Sequence, residues 1–91
     1  MNVKSIMANY TKNDLLYFEK YKWDNKDAAD TTLLDRSNGY EVLDFANCYA
    51  RKFFDSPLKG DLHKIEYMLA YRVPQDLEQK TYITNFISSN W

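Results

Sequence analysis

The sequence predicts an all-α domain, a small four-helix bundle, and three observations carry that prediction. Two glycines and two prolines punctuate 91 residues, too few for an all-β chain that turns every ~8 to 12 residues. Apolar residues recur at helical spacing from Val42 to Phe53. Helix-start signals recur as well, at Thr11, Asn38, Ser56-Pro57 and Pro74. There is no internal repeat, low-complexity tract or linker rich in Gly, Ser or Pro, so residues 1–91 read as a single domain.

Thr11, with Asp14 three residues on, predicts a first helix over 12–23. Its apolar content (Leu15, Leu16, Tyr17, Phe18, Tyr21, Trp23) is nearly circumferential, so the segment should be mostly covered. Residues 24–37 fit either a short helix or a loop docked by Leu33 and Leu34, because clustered Asn, Asp and Thr favour neither. Asn38 and Glu41 form a capping-box pair that opens a second helix running to Phe54. Val42, Phe45, Ala46, Tyr49, Ala50 and Phe53 make its buried stripe, with Asp44, Asn47 and Arg51 opposite.

Ser56-Pro57 reads as an N-cap followed by proline at the first helical position. From Leu58 to Val73 two periods compete. Leu58, Leu62, Ile65 and Leu69 suit a helix, whereas Ile65, Tyr67, Leu69, Tyr71 and Val73 alternate as in a half-buried strand. Leu, Met and Ala favour the helix. Pro74 and the acids after it restart a last helix, burying Leu77, Ile83, Phe86 and Ile87, although Thr81 to Ile87 is rich in strand formers. The alternative fold is therefore α+β, two helices followed by a C-terminal β-hairpin.

The lone Cys48 cannot make an internal disulfide, and with the lone His63 it cannot build a structural zinc site. No window is long and apolar enough to span a membrane, and the first five residues lack signal-peptide character. The expectation is a soluble, cytoplasmic protein with no membrane association. No cofactor is implied, since neither glycine belongs to a phosphate-cradling motif. Cys48 and His63 read as packing residues, not as nucleophile and base, because no third group is placed to orient the histidine. The chain is not expected to be an enzyme. Tyr17, Lys20, Tyr21, Lys22 and Trp23 interleave aromatics with lysines as nucleic-acid binders do, but a net charge of −1 argues against that partner. The same string arises when lysines snorkel at the edge of a core-facing helix.

Charge is unevenly distributed. Residues 1–26 carry +2, residues 27–50 carry −4 and residues 51–91 carry +1. The acidic middle either steers a basic partner or is an ordinary solvated helix N-terminus, where acids suit the dipole.

Ser5-Ile6-Met7-Ala8-Asn9-Tyr10-Thr11-Lys12-Asn13-Asp14-Leu15-Leu16 resembles the opening of the small immunity proteins that neutralise nuclease colicins and pyocins. Ser56-Pro57-Leu58-Lys59-Gly60-Asp61-Leu62 is similar to that family's segment His-Pro-x-Gly-x-Asp-Leu, and Pro74 falls where the family's last helix opens. The resemblance implies a distorted four-helix bundle that binds a toxin's nuclease domain beside its active site through an acidic surface. It carries Asp61 over as a toxin-facing acid. Lys64 and Ile65 stand where the family has its two anchoring tyrosines, so that role passes to the nearest aromatic, Tyr67.

The expected function is that of a small protein-binding inhibitor, immunity-type, which neutralises a bacterial toxin or nuclease by steric and electrostatic occlusion. The candidate interface residues are Asp35, Glu41, Asp44, Asp61, Glu66 and Tyr67. Two alternatives share the chain's features: a phage- or plasmid-encoded inhibitor of a host defence or regulatory protein, and a small nucleic-acid-associated regulator. Trp91 either packs back on the bundle or serves as an exposed contact.

Overall fold

The computed structural model describes residues 9–23 and 32–91. Among these the architecture is all-α, with three helices: α1 (Gly39–Phe53), α2 (Lys59–Tyr71) and α3 (Lys80–Asn90). The expected four-helix bundle and the α+β alternative are both corrected. No strand is present among the described residues, only two isolated bridges that join Lys22 to Asn38 and Leu33 to Gln79.

The missing helix is the expected first one. Residues 9–23 instead run as a strap with two short 3-10 turns, Lys12–Asp14 and Phe18–Lys20. Thr11 and Asp14 do pair, the Thr11 amide donating to the Asp14 carboxylate at 2.8 Å, but they close one turn only. The amides of Leu16 and Tyr17 go to the Glu66 carboxylate, at 2.6 and 3.2 Å. A side chain from another element has thus taken donors that a continuing helix would have used internally. An apolar surface on every side gives a helix no single stripe to bury, and six apolar side chains are better distributed by an irregular path over the other helices.

α1 is the element the sequence describes best. The Asn38 side chain accepts from the Tyr40 amide at 2.9 Å, so the N-cap falls where expected. Val42, Phe45, Ala46, Tyr49 and Ala50 are buried. Phe53 is not: at 45% exposure it lies beyond the covered stripe, its ring against Tyr49.

α2 is a helix, but Ser56-Pro57 does not open it. The N-cap is Leu58, whose amide donates to Asp61 Oδ2 at 3.0 Å, so a local carboxylate sets the start two residues later. Leu58 itself is exposed, while Leu62, Ile65, Met68 and Leu69 are buried. α3 likewise begins at Lys80, not at Pro74, because the chain before it is used elsewhere. Leu34 donates to the Glu78 carbonyl at 2.9 Å and Lys80 to the Thr32 carbonyl at 2.8 Å, which holds 78–80 extended beside 32–34. Ile83 and Ile87 are fully buried, with Leu77 and Phe86 packed at the margin.

One half-buried cation, Arg36, shapes the α2–α3 connection. Arg36 donates to the carbonyls of Leu69 and Val73 (2.9 and 3.0 Å) and to those of Pro74 and Leu77. It takes the Leu69 carbonyl of the last turn and three carbonyls beyond it, at the negative end of the α2 dipole. Burial holds its pKa below the ordinary guanidinium value, and the charges of Glu78 and Asp76 oppose that shift. Trp91 packs back, with its ring 5.3 Å from Phe54 and 6.2 Å from Tyr49.

Candidate partner-binding surface

α2 has two unlike sides. Leu62, Ile65, Met68 and Leu69 face the core together with Glu66, which has no exposed surface. Glu66 accepts from the Leu16 and Tyr17 amides and from the Tyr21 hydroxyl at 2.7 Å, so every donor around it ties it to the strap. Burial, and then this hydrogen bond, push the Tyr21 hydroxyl well above its usual pKa.

The solvent side carries Lys59, Lys64, Tyr67, Ala70 and Tyr71. Tyr67 is 47% exposed and Tyr71 is 59% exposed. They stand one turn apart with ring centroids separated by 5.2 Å. The strap adds Tyr17, whose ring meets Tyr71 edge-on at 6.2 Å, and Lys20, whose ammonium lies 5.2 Å from the Tyr17 centroid. At the other end of this strip Lys64 lies over the Trp91 ring at 4.3 Å and donates to the Trp91 carbonyl. A small hollow of about 160 Å³ lies between the strap and α2, lined by Tyr17, Tyr21, Glu66 and Tyr71. Across Ala70 an open groove of about 670 Å³ is bordered by Leu33, Leu34, Asp35, Leu69 and Glu78.

The structure separates the six sequence-predicted residues. Tyr67 lies on the tyrosine strip. Asp35 borders the open groove, held below the ordinary carboxylate pKa by the Ser37 hydroxyl and amide at 2.6 and 2.9 Å. Asp44 is exposed on α1 beside Cys48, Lys52 and Lys80. Asp61 is half-buried at the start of α2. Glu41 and Glu66 are corrections: both are buried, lining only the open groove and the small hollow, and their carboxylates are bonded within the fold. Glu41 does not close the expected capping box with the Asn38 amide; its carboxylate reaches the Asp35 amide at 3.2 Å and the Asn38 side chain at 3.4 Å. The acidic residues Asp27 and Asp30, and the Ser5–Ala8 part of the resemblance, lie outside the described residues.

His63 holds the strap as well, its Nε2 lying 2.8 Å from the Asp14 carbonyl. Cys48 is an exposed thiol on α1. Among the described residues no group of three His, Cys, Asp or Glu side chains is placed to hold a metal ion. No helix among them is long and apolar enough to cross a membrane.

Sequence reasoning missed Tyr17 and Tyr71 as surface residues. The signal for Tyr71 lies in its spacing of four from Tyr67, whereas Tyr17 falls in a segment whose apolar pattern predicts a covered helix. The fold and this strip together define a small helical domain with an exposed tyrosine face. No family model matches the chain, and no curated protein or solved structure matches it.

Proposed function

We propose that the protein works by binding another protein through the tyrosine strip of α2 and the strap, and that it inhibits that partner by covering a working surface. The observation that carries this reading is the exposure of Tyr67 and Tyr71 side by side with Tyr17 packed against them. Tyrosine offers a large contact area with only two side-chain torsions to order, and aromatic side chains dominate the energetics of protein interfaces. These rings already brace one another, so little freedom remains to be lost on docking.

The finer reading is an immunity-type inhibitor of a bacterial toxin or nuclease. It is supported by the Tyr10-Thr11 and Asp61-Leu62 resemblance and by the exposure of Tyr67, the residue to which that resemblance passed the anchor role.

The test is capture of the partner from lysate of the source organism, followed by affinity measurement with Tyr67→Ala and Tyr71→Ala. Each substitution is expected to raise Kd by about 30-fold. Both side chains project from the solvent face, so the unfolding midpoint should hold. A partner bound with unchanged affinity by both variants would refute the assignment of the surface.

A further inference from the structure

We propose that the tyrosine strip takes an acidic segment of its partner protein, an inference that rests on reading this surface as protein-binding. A total charge of −1 and the acidic run at 27–50 suggest the opposite polarity. Burial reverses that suggestion at the strip.

Of the carboxylates on the strap and α2, Glu66 is fully buried and bound by three strap donors. Asp14 is occupied by the Thr11 amide and by Lys59, at 2.8 and 3.3 Å. Asp61 is occupied by the Leu58 amide. In residues 9–20 and 59–71 the exposed ionisable groups other than tyrosine are Glu19, Lys20, Lys59 and Lys64, so Glu19 is the sole exposed carboxylate. Lys20 stands over Tyr17 at one end of the strip and Lys64 over Trp91 at the other, with the rings of Tyr17, Tyr71 and Tyr67 between them. Each ring holds its ammonium in place, and Lys64 also donates to the Trp91 carbonyl, a bond that an arriving carboxylate would share or displace. A chain that places carboxylates against the two lysines and apolar or aromatic groups on the tyrosines matches both the charge and the contact area.

Ring geometry favours a polypeptide over a nucleic acid. Tyr17 and Tyr71 meet at 79° and Tyr67 and Tyr71 at 43°. Successive bases require roughly parallel platforms, which these rings do not provide.

The test is fluorescence anisotropy on the full chain with labelled poly-L-glutamate, poly-L-lysine and an oligothymidine strand as probes. Poly-L-glutamate is expected to bind, with Kd rising about tenfold between about 50 and about 300 mM salt as the lysines are screened. The double variant Lys20→Glu with Lys64→Glu should weaken binding at least about fivefold with an unchanged circular dichroism spectrum, whereas Lys52→Glu on α1 should change it less than about twofold. Preference for poly-L-lysine, tighter binding of oligothymidine, or unchanged poly-L-glutamate binding by the double variant would overturn the proposal. A partner captured through Tyr67 that meets this face with its own lysines and arginines would overturn the acidic occupant and leave the protein-binding reading standing. Poly-L-glutamate binding that needs Lys20 and Lys64, with partner capture indifferent to Tyr67, would support the charge preference and remove the protein-binding reading.

Discussion

Residues 9–23 and α1 are of equal length and both are rich in apolar side chains, yet only one is a helix. Beyond its first turn α1 closes its amides on its own carbonyls; at its start the Asn38 side chain accepts from Tyr40 and the Lys22 carbonyl accepts from Gly39. The strap depends on other elements for its polar backbone groups. Glu66 takes the Leu16 and Tyr17 amides, Asn47 both accepts from and donates to the Tyr10 backbone, and the Ser37 carbonyl accepts from Lys22. One apolar stripe makes a helix because burial and backbone bonding agree on it; apolar residues on all sides make a strap because burial then requires a path that backbone bonding alone would not choose.

Removing the strap's main acceptor should break the contrast most severely. Glu66→Ala leaves three donors without their partner in the part-buried α2–strap seam, and a loss of about 2 to 3 kcal/mol is expected from urea unfolding, with hydrogen exchange at Leu16 and Tyr17 accelerated. A loss below about 1 kcal/mol would mean that the strap is held by its aromatic contacts instead.

Gly39→Ala tests the junction of the two regions. A Cβ there would lie 2.4 Å from Trp23 Cζ2. The helix gains about 1 kcal/mol from alanine, but displacing the indole costs more, so a net loss of about 1 to 2 kcal/mol is expected together with a shift in tryptophan emission. A more stable variant would show that Trp23 yields freely.

Asn38→Ala should cost about 1 kcal/mol through the lost α1 cap while leaving exchange at Leu16 and Tyr17 unchanged. Accelerated exchange at those two amides would show that strap and helix do not open separately.

The smallest effect is expected from Tyr21→Phe, about 0.5 to 1 kcal/mol at neutral pH, because Glu66 keeps two other donors. Its pH signature is sharper. Burial and the Glu66 bond raise the folded-state pKa of Tyr21 above its ordinary value of about 10. The unfolded chain therefore ionises first, and stability that is fully present below about pH 10 is lost as pH rises beyond it. Tyr21→Phe should flatten that alkaline limb; an identical limb in both proteins would assign it to other groups.

The tyrosine strip was only partly legible in advance. Tyr67 and Tyr71 share a helical face by their spacing, but exposure is a property of what packs nearby, and the same string also fitted a half-buried strand. The two acids that appeared to extend a negative surface, Glu41 and Glu66, are interior acceptors, since each finds backbone amides without an intrahelical partner. Nothing local distinguishes such a glutamate from a solvated one. Arg36 is similar: its four carbonyl acceptors lie 33 to 41 residues away in sequence.

By itself the sequence determined the helical class, the bounds of α1 and its buried stripe from Val42 to Ala50, and the buried residues Ile83 and Ile87 of α3, because stripe periodicity and capping chemistry are local. Tertiary structure decided that 9–23 is a strap, that α2 and α3 start after their prolines, and that Glu41 and Glu66 are buried. Those outcomes depend on which distant donor meets which acceptor. A buried carboxylate such as Glu66 is satisfied only by groups that the fold brings to it.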